Sequence, residues 1–218
     1  MKLTWLGHSA VKIEGSRTVI IDPFLTNNPA AAIKADEITQ ADVVIVTHDH
    51  GDHLGDAFPI CKRTKAAFFA IFELAQEAAK YGIDTEGMNV GGTIERNGVH
   101  VSLVPAFHTA GLGGTAVGAV IQMDGKSIYH AGDTGISMEM QLIGELYHPD
   151  IAFLPIDGRF NMTPRLAARA AELLNVRKVV PIHYNTFPAI HANPDELRHL
   201  AGNRTEVIVL TPGGSLEI

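Results

Sequence analysis

The chain has one cysteine, Cys61, among 218 residues. No internal disulfide can form, and the cytoplasm is the expected compartment. No apolar run reaches the roughly 18 residues of a membrane span. Lys2 is followed by Trp5, Gly7 and His8, so the N-terminal apolar stretch is too short for a signal peptide. Positive charge is scarce. Seventeen Lys and Arg stand against 24 Asp and Glu, a formal net charge of -7. That balance disfavours a broad surface for a phosphate backbone, so a small molecule is the expected partner rather than nucleic acid. The glycine-rich residues 111–114 lack the Gly-Lys-Ser/Thr ending of a phosphate-binding loop, and no dinucleotide fingerprint occurs. They are read as a mobile lip of a site. Tandem repeats and linkers are also missing. The length and a 46% hydrophobic content suit one globular domain over residues 1–218.

The chemistry is concentrated in Thr47-His48-Asp49-His50-Gly51-Asp52-His53. It follows Val43-Val44-Ile45-Val46, an apolar β-branched run of the kind that forms a buried strand. Three imidazoles and two carboxylates so close together are costly to hold unless a cation neutralises and orients them. These ligands suit divalent zinc first, and also manganese, nickel or iron. His48 and His50 are two apart and point the same way in an extended segment. Gly51 lets the backbone turn, so Asp52 and His53 can grip a second ion. Asp49 alternates out of line and is left out of the ligand set.

Strands are expected at residues 3–6, 10–14 and 18–21 as a meander, then at 43–46, 66–70, 90–94, 99–105, 117–123, 126–130, 151–155, 176–181, 207–210 and 215–218. Turns are marked by Asn97-Gly98 and Asp124-Gly125. A short helix from 54 to 61 should be interrupted by Pro59. Further helices are expected over 72–80, 137–146, from Thr163-Pro164 to 174, and from Asn193-Pro194 to 201. Both halves run strand-rich with helices. The expected fold is α/β, two facing mixed sheets with helices on the outer faces, an αββα sandwich.

His48, His50, Asp52, His53, His108, Asp133 and His183 all come just after predicted strands, where an α/β architecture presents its chemistry. By count, His48, His50 and His108 serve one metal, and Asp52, His53 and His183 serve another. Asp133 has two oxygens and can bridge both. Asp22, at a strand end, is placed behind a ligand imidazole, accepting from its other nitrogen. His100 and His130 lie within strands, and His148 and His199 at helix ends, so none of these is assigned to the site. His191, in a loop after His183, is a candidate substrate or acid group.

Several pieces carry a family resemblance: Trp5-Leu6-Gly7-His8-Ser9, Ile20-Ile21-Asp22-Pro23-Phe24, the 47–53 motif, Pro105-Ala106-Phe107-His108, Ala131-Gly132-Asp133-Thr134 and Pro181-Ile182-His183-Tyr184. Together they resemble a metallo-β-lactamase-fold hydrolase. Within that fold they are most similar to small bacterial and archaeal metal-dependent hydrolases of uncharacterised substrate, a family similar to the ascorbate-6-phosphate lactonase group. The resemblance implies an αββα sandwich with two metals, and the seven ligands match position by position. It does not imply antibiotic hydrolysis. Asp133 stands where true β-lactamases of this fold often use cysteine among their second-metal ligands.

The chemistry expected of such a centre is hydrolysis of a small ester, lactone or phosphodiester by a metal-bridged hydroxide. Asp52 is positioned to accept the nucleophile's proton, and His8, His191 or a metal water to protonate the leaving group. Arg159 and Arg165 are the candidate phosphate contacts if the substrate is a phosphodiester. The alternative is a non-catalytic, metal-dependent binding or sensing module on the same scaffold. A compact domain with Ala-rich helices can pair through an exposed face, so a homo-oligomer is compatible, although no stripe predicts its symmetry.

Overall fold

The structure, a computed structural model, describes residues 1–111 and 114–218. Of the expected glycine-rich lip, Leu112 and Gly113 therefore lie outside the described residues. The first half contains β1 (Lys2–Gly7), β2 (Ala10–Glu14), β3 (Thr18–Ile21), β4 (Val43–Ile45), α1 (Gly51–Leu54), α2 (Ala57–Thr64), β5 (Ala67–Ile71), α3 (Phe72–Ala79) and β6 (Thr85–Met88). The second contains β7 (Thr93–Arg96), β8 (Val99–Pro105), β9 (Val117–Met123), β10 (Lys126–His130), α4 (Glu139–Tyr147), β11 (Ile151–Pro155), α5 (Pro164–Leu174), β12 (Lys178–Ile182), α6 (Pro194–Ala201), β13 (Glu206–Val207) and β14 (Ser215–Glu217).

These strands form two seven-stranded sheets, ordered β14-β1-β2-β3-β4-β5-β6 and β13-β12-β11-β10-β9-β8-β7. Each is antiparallel on one side and parallel on the other. In the first, β14 to β3 pair antiparallel and β3 to β6 parallel. In the second, β7 to β10 pair antiparallel and β10 to β13 parallel. The fold is the expected α/β sandwich. The parallel strands β4, β5 and β11 are buried along their whole length, which is why they read as unbroken apolar runs. α2 and α3 pack on β5, α3 also on β6, and α5 on β11, with α4 and α6 against α5. Side chains from both sheets share one hydrophobic core. Among the described residues no helix is long and apolar enough to cross a membrane.

Three boundaries differ from the sequence expectation. Pro59 does not interrupt its helix. It is the third residue of α2, after the N-cap Asp56, where a missing N–H costs nothing because that donor has no intrahelical partner. The strand expected at 90–94 is displaced to β7, and Thr85–Met88 adds an edge strand, β6. Gly87 in β6 lies close under α3: a Cβ there would stand 3.2 Å from Phe72 and 3.3 Å from Ala75, so even a methyl would require these neighbours to give way. The strand expected at 207–210 is reduced to β13, whose Glu206 and Val207 lie opposite Lys178 and Val179 of β12, with the Ile208 N–H donating to the Val179 carbonyl at 2.8 Å. Thr163 caps α5 as expected, its hydroxyl accepting the Leu166 N–H at 3.3 Å.

Candidate metal centre

The polar site residues lie just beyond the C-terminal ends of β1, β3, β4, β8, β10, β11 and β12, along one edge of the sandwich. His8, Asp22 and His183 adopt left-handed backbone there, with φ of 54°, 45° and 54°. Each such turn in a non-glycine residue costs on the order of 1 kcal/mol or more, and is held only where its surroundings impose it. The surroundings are visible. The His183 N–H donates to the His8 carbonyl at 2.9 Å, and the Trp5 indole N–H donates to the same oxygen at 2.9 Å. Trp5 stacks on Tyr184, ring centroids 5.6 Å apart. The first and last site loops are thereby joined.

Asp22 organises the centre from beneath and is fully buried. Its Oδ1 accepts the Thr47 N–H at 2.8 Å, and its Oδ2 accepts the Thr47 hydroxyl at 2.7 Å and the His53 Nδ1–H at 2.8 Å. This is the role expected for it. The Thr47 hydroxyl has one proton, and Asp22 takes it. Thr47 Oγ1 must then accept from His48 Nδ1–H, 3.1 Å away, which leaves His48 Nε2 as a bare lone pair. His53, with Nδ1 on Asp22, likewise turns Nε2 inward, 3.2 Å from Asp133 Oδ1. His183 Nδ1 faces Asp157 Oδ2 at 3.1 Å, but the two do not complete a hydrogen bond. His183 Nε2 is 3.3 Å from Asp133 Oδ2.

Asp133 thus stands between His53, His183 and His108, whose Nε2 is 3.5 Å from Oδ2. His48 Nε2 lies 3.0 Å from His50 Nδ1. Asp52 Oδ2 lies 3.1 Å from His8 Nε2 and 3.8 Å from His183 Nε2. Three groupings have ligand atoms mutually within 4.8 Å: His48, His50 and His108; His8, Asp52, His53 and His183; and His48, His53 and Asp133. All seven predicted ligands are therefore brought together. His8 joins them beside Asp52. His191 does not: it is exposed at the end of a 3-10 turn over Pro188–Ile190 and joins none of these groupings. Arg165 lies on the exposed side of α5. His130, His148 and His199 also stay outside the groupings.

The electrostatics ask for positive charge. Burial works against the imidazolium of His53, but Asp133 and Asp22 outweigh it and raise its pKa to about 10. His183 is raised well above its ordinary value, with Asp133 overcoming burial. Burial opposes the charge of Asp133, but His53 and His183 hold its carboxyl well below the usual range. His8 and His48 go the other way. Burial dominates and lowers them to about 4 and about 3.

Divalent cations fit this site. Among the described residues, buried His53 Nε2, Asp133 Oδ1 and both ring nitrogens of His183 have no hydrogen-bond partner, although His53 Nε2 lies 3.2 Å from Asp133 Oδ1 and His183 Nε2 3.3 Å from Asp133 Oδ2. Buried polar atoms are seldom left so without a ligand. Bare imidazole nitrogens and carboxylate oxygens are the donor set of zinc and similar ions.

Two supporting residues escaped the sequence reading. Asp157 accepts the Arg159 and Phe160 N–H groups at 2.8 and 2.7 Å and the Asn161 side-chain N–H at 2.7 Å, and so braces its loop while facing His183. Thr134 accepts the Phe107 N–H at 2.9 Å and donates to the Gly135 carbonyl at 2.7 Å, holding the His108 loop beside Asp133. Asp157 had a signal, since it follows an apolar strand just as Asp22 does.

A family described as "Beta-lactamase superfamily domain" matches residues 17–184. The chain is 50% identical over 222 residues to a "UPF0173 metal-dependent hydrolase" of Korarchaeum cryptofilum (strain OPF8), covering 100% of both chains. It is 51% identical over 225 residues to a protein of the same description from Thermococcus onnurineus (strain NA1), again covering 100% of both. Its structure matches that of Igni18, described as a metallo hydrolase from the hyperthermophilic archaeon Ignicoccus hospitalis KIN4/I. The TM-score is 0.94, with 40% identity over 100% of this chain and 98% of that one. The chain belongs to the β-lactamase superfamily and, within it, to the UPF0173 metal-dependent hydrolase family.

Proposed function

We propose that the protein is a metal-dependent hydrolase with two divalent ions, acting on a small molecule. The observation that carries the reading is Asp133, whose two oxygens face His53 on one side and His108 and His183 on the other. His48, His50 and His108 would hold one ion, and Asp52, His53 and His183 the other. Ions so held supply Lewis acidity and a water that ionises near neutral pH.

The chain's own residues then do three things. The Nδ1 hydrogen bonds of His48 and His53 fix their tautomers and aim Nε2 inward, and the Asp157 carboxylate faces Nδ1 of His183. Asp52 is the proton acceptor: its side chain is 35% exposed, against 4% for Asp133, so it reaches an incoming water. Burial opposes its charge, yet His183 and His8 keep it ionised far below the usual carboxylate range, which leaves its oxygens open to a water proton while weakening them as a base. His8 orients Asp52. Its Nε2 is on that carboxylate, and its Nδ1 lies 2.8 Å from the Thr186 hydroxyl. With burial lowering its pKa to about 4, His8 is neutral at pH 7 and does not serve as the leaving-group acid.

The test is metal content together with turnover. Purified protein, loaded with zinc or manganese, is expected to hydrolyse at least one member of a panel of lactones, thioesters and chromogenic phosphodiesters. His50→Ala is expected to lose metal and turnover while keeping its fold, since His50 is only half-buried. Full turnover by that variant, or binding without turnover across the panel, overturns the reading.

A further inference from the structure

We infer that the site takes an uncharged carboxylic ester or lactone bearing an apolar group, in preference to a phosphodiester or other anion. This rests on the hydrolase reading above and names its substrate class.

The first observation is a shortage of cations. Residues 7–9, 22–28, 47–56, 106–111, 131–138, 156–163 and 183–193 carry the site. They contain one arginine, Arg159, and no lysine. The Arg159 guanidinium is stacked over the Phe160 ring, 5.4 Å from its centroid. Sites that select phosphoryl groups place several charge-assisted donors on them, arginine above all. Here at most one is on offer.

The second is a charge count. Asp22, Asp52, Asp133 and Asp157 each contact a site imidazole. Two divalent ions bring four positive charges, and these four carboxylates already match them. An anionic substrate would enter with at most the Arg159 guanidinium to meet it, whereas an uncharged acyl group needs no such partner.

The third is the rim. Phe24 and Phe187 stand edge-on to the His8 ring, at 5.7 and 5.8 Å. Phe107, next to His108, is 61% exposed, and Phe160 is 55% exposed. Phe24 is buried and Phe187 half-buried, so Phe107 and Phe160 are the large apolar side chains held in the open at this edge, and such side chains mark a binding surface for an apolar group. The reaction consumes one water. The acyl C–O bond to the leaving oxygen breaks, a C–O bond to the water oxygen forms, and one proton ends on the leaving oxygen. The new carboxylic acid ionises and releases a proton to solvent.

Zinc-loaded protein should be assayed with 4-nitrophenyl butyrate, with 4-nitrophenyl hydrogen succinate (the same acyl length ending in a carboxylate) and with bis(4-nitrophenyl) phosphate. We expect kcat/KM for the butyrate to exceed both others by about tenfold or more, a difference in transition-state stabilisation. It should also stay flat between about 0.05 and 0.5 M salt, because no ion pair forms with the substrate. Arg159→Ala should change the butyrate value less than about twofold. Calorimetry gives a readout independent of turnover. δ-Valerolactam, an uncharged and unreactive analogue of a lactone, should bind more tightly than diphenyl phosphate. Faster phosphodiester cleavage, tighter diphenyl phosphate binding, or a large Arg159→Ala loss rescued by Arg159→Lys overturns the inference while leaving a hydrolase. If nothing in the panel turns over, the hydrolase reading fails, and the calorimetric order still decides the preference.

Discussion

The Nε2–H of His130 donates to the carbonyl of Ser9 at 2.9 Å, reaching from the second sheet to the turn after β1. Its Nδ1 accepts the Gly132 N–H at 3.2 Å. One buried imidazole therefore fixes the backbone next to His8 and next to Asp133. His130→Phe keeps the ring and removes both bonds, leaving two buried backbone groups unpaired. We expect a loss of about 2–3 kcal/mol in unfolding free energy, since each orphaned group costs on the order of 1–3 kcal/mol. Urea denaturation of the metal-free variant measures it. A loss under about 0.5 kcal/mol, the range of an ordinary surface change, rules out the strut.

Asp157 makes a second prediction. In Asp157→Asn one amide oxygen can still accept the Arg159 and Phe160 N–H groups, so the loop persists. The charge facing His183 Nδ1 is gone. Removing the partner that orients a ligand imidazole weakens metal binding by about 10–100-fold. Competition with a chelator of known affinity reads this directly, and equal zinc affinity in the variant and the parent chain counts against the assigned role.

Much of this was legible from residues alone, for a definite reason. The side chains of a strand-end site must directly follow apolar runs, so the candidate ligands His48, His50, Asp52, His53, His108, Asp133 and His183 carry their own positional label. What escaped notice was dual-purpose or contextual. Asp157-Gly158 reads as a turn because Asp157 does build one, and its second duty to His183 depends on a tertiary contact. His8 meets Asp52 across 44 positions of sequence, which local pattern does not encode. His130 looked like an ordinary strand histidine, and only the facing sheet shows what it holds. β6 escaped because Thr-Glu-Gly-Met has neither alternation nor β-branched density, and its pairing with β5 supplies what propensity lacks.

Cys61 offers a probe that does not touch the site. It is 2% exposed, and burial pushes its thiol pKa up to about 12. The thiolate is the reactive form, so the native protein should resist alkylation at pH 8 and react only through opening. The logarithm of the labelling rate should rise in His130→Phe in proportion to its lost stability, about tenfold for each 1.4 kcal/mol. Rapid labelling of the native parent chain disproves the burial.

The pH dependence of the metal-free protein follows from the opposed histidine shifts. His8, His48, His108 and His130 are lowered, chiefly by burial. Below the unfolded value of about 6.5 the unfolded chain binds more protons at these positions, so stability falls as pH drops. His53 and His183 are raised. Their contribution is fully present below about 6.5 and is lost as pH climbs through the folded values, to about 10 for His53. The two trends meet near the ordinary histidine pKa, so the metal-free melting temperature should peak at about pH 6.5 and decline on both sides. Zinc replaces the protons on His53 and His183, so loading should release protons and abolish the alkaline decline. Melting curves from pH 5 to 9, with and without zinc, test both halves, and a metal-free curve still rising at pH 8 contradicts the assignment of His53 and His183 as proton-bearing partners of Asp133.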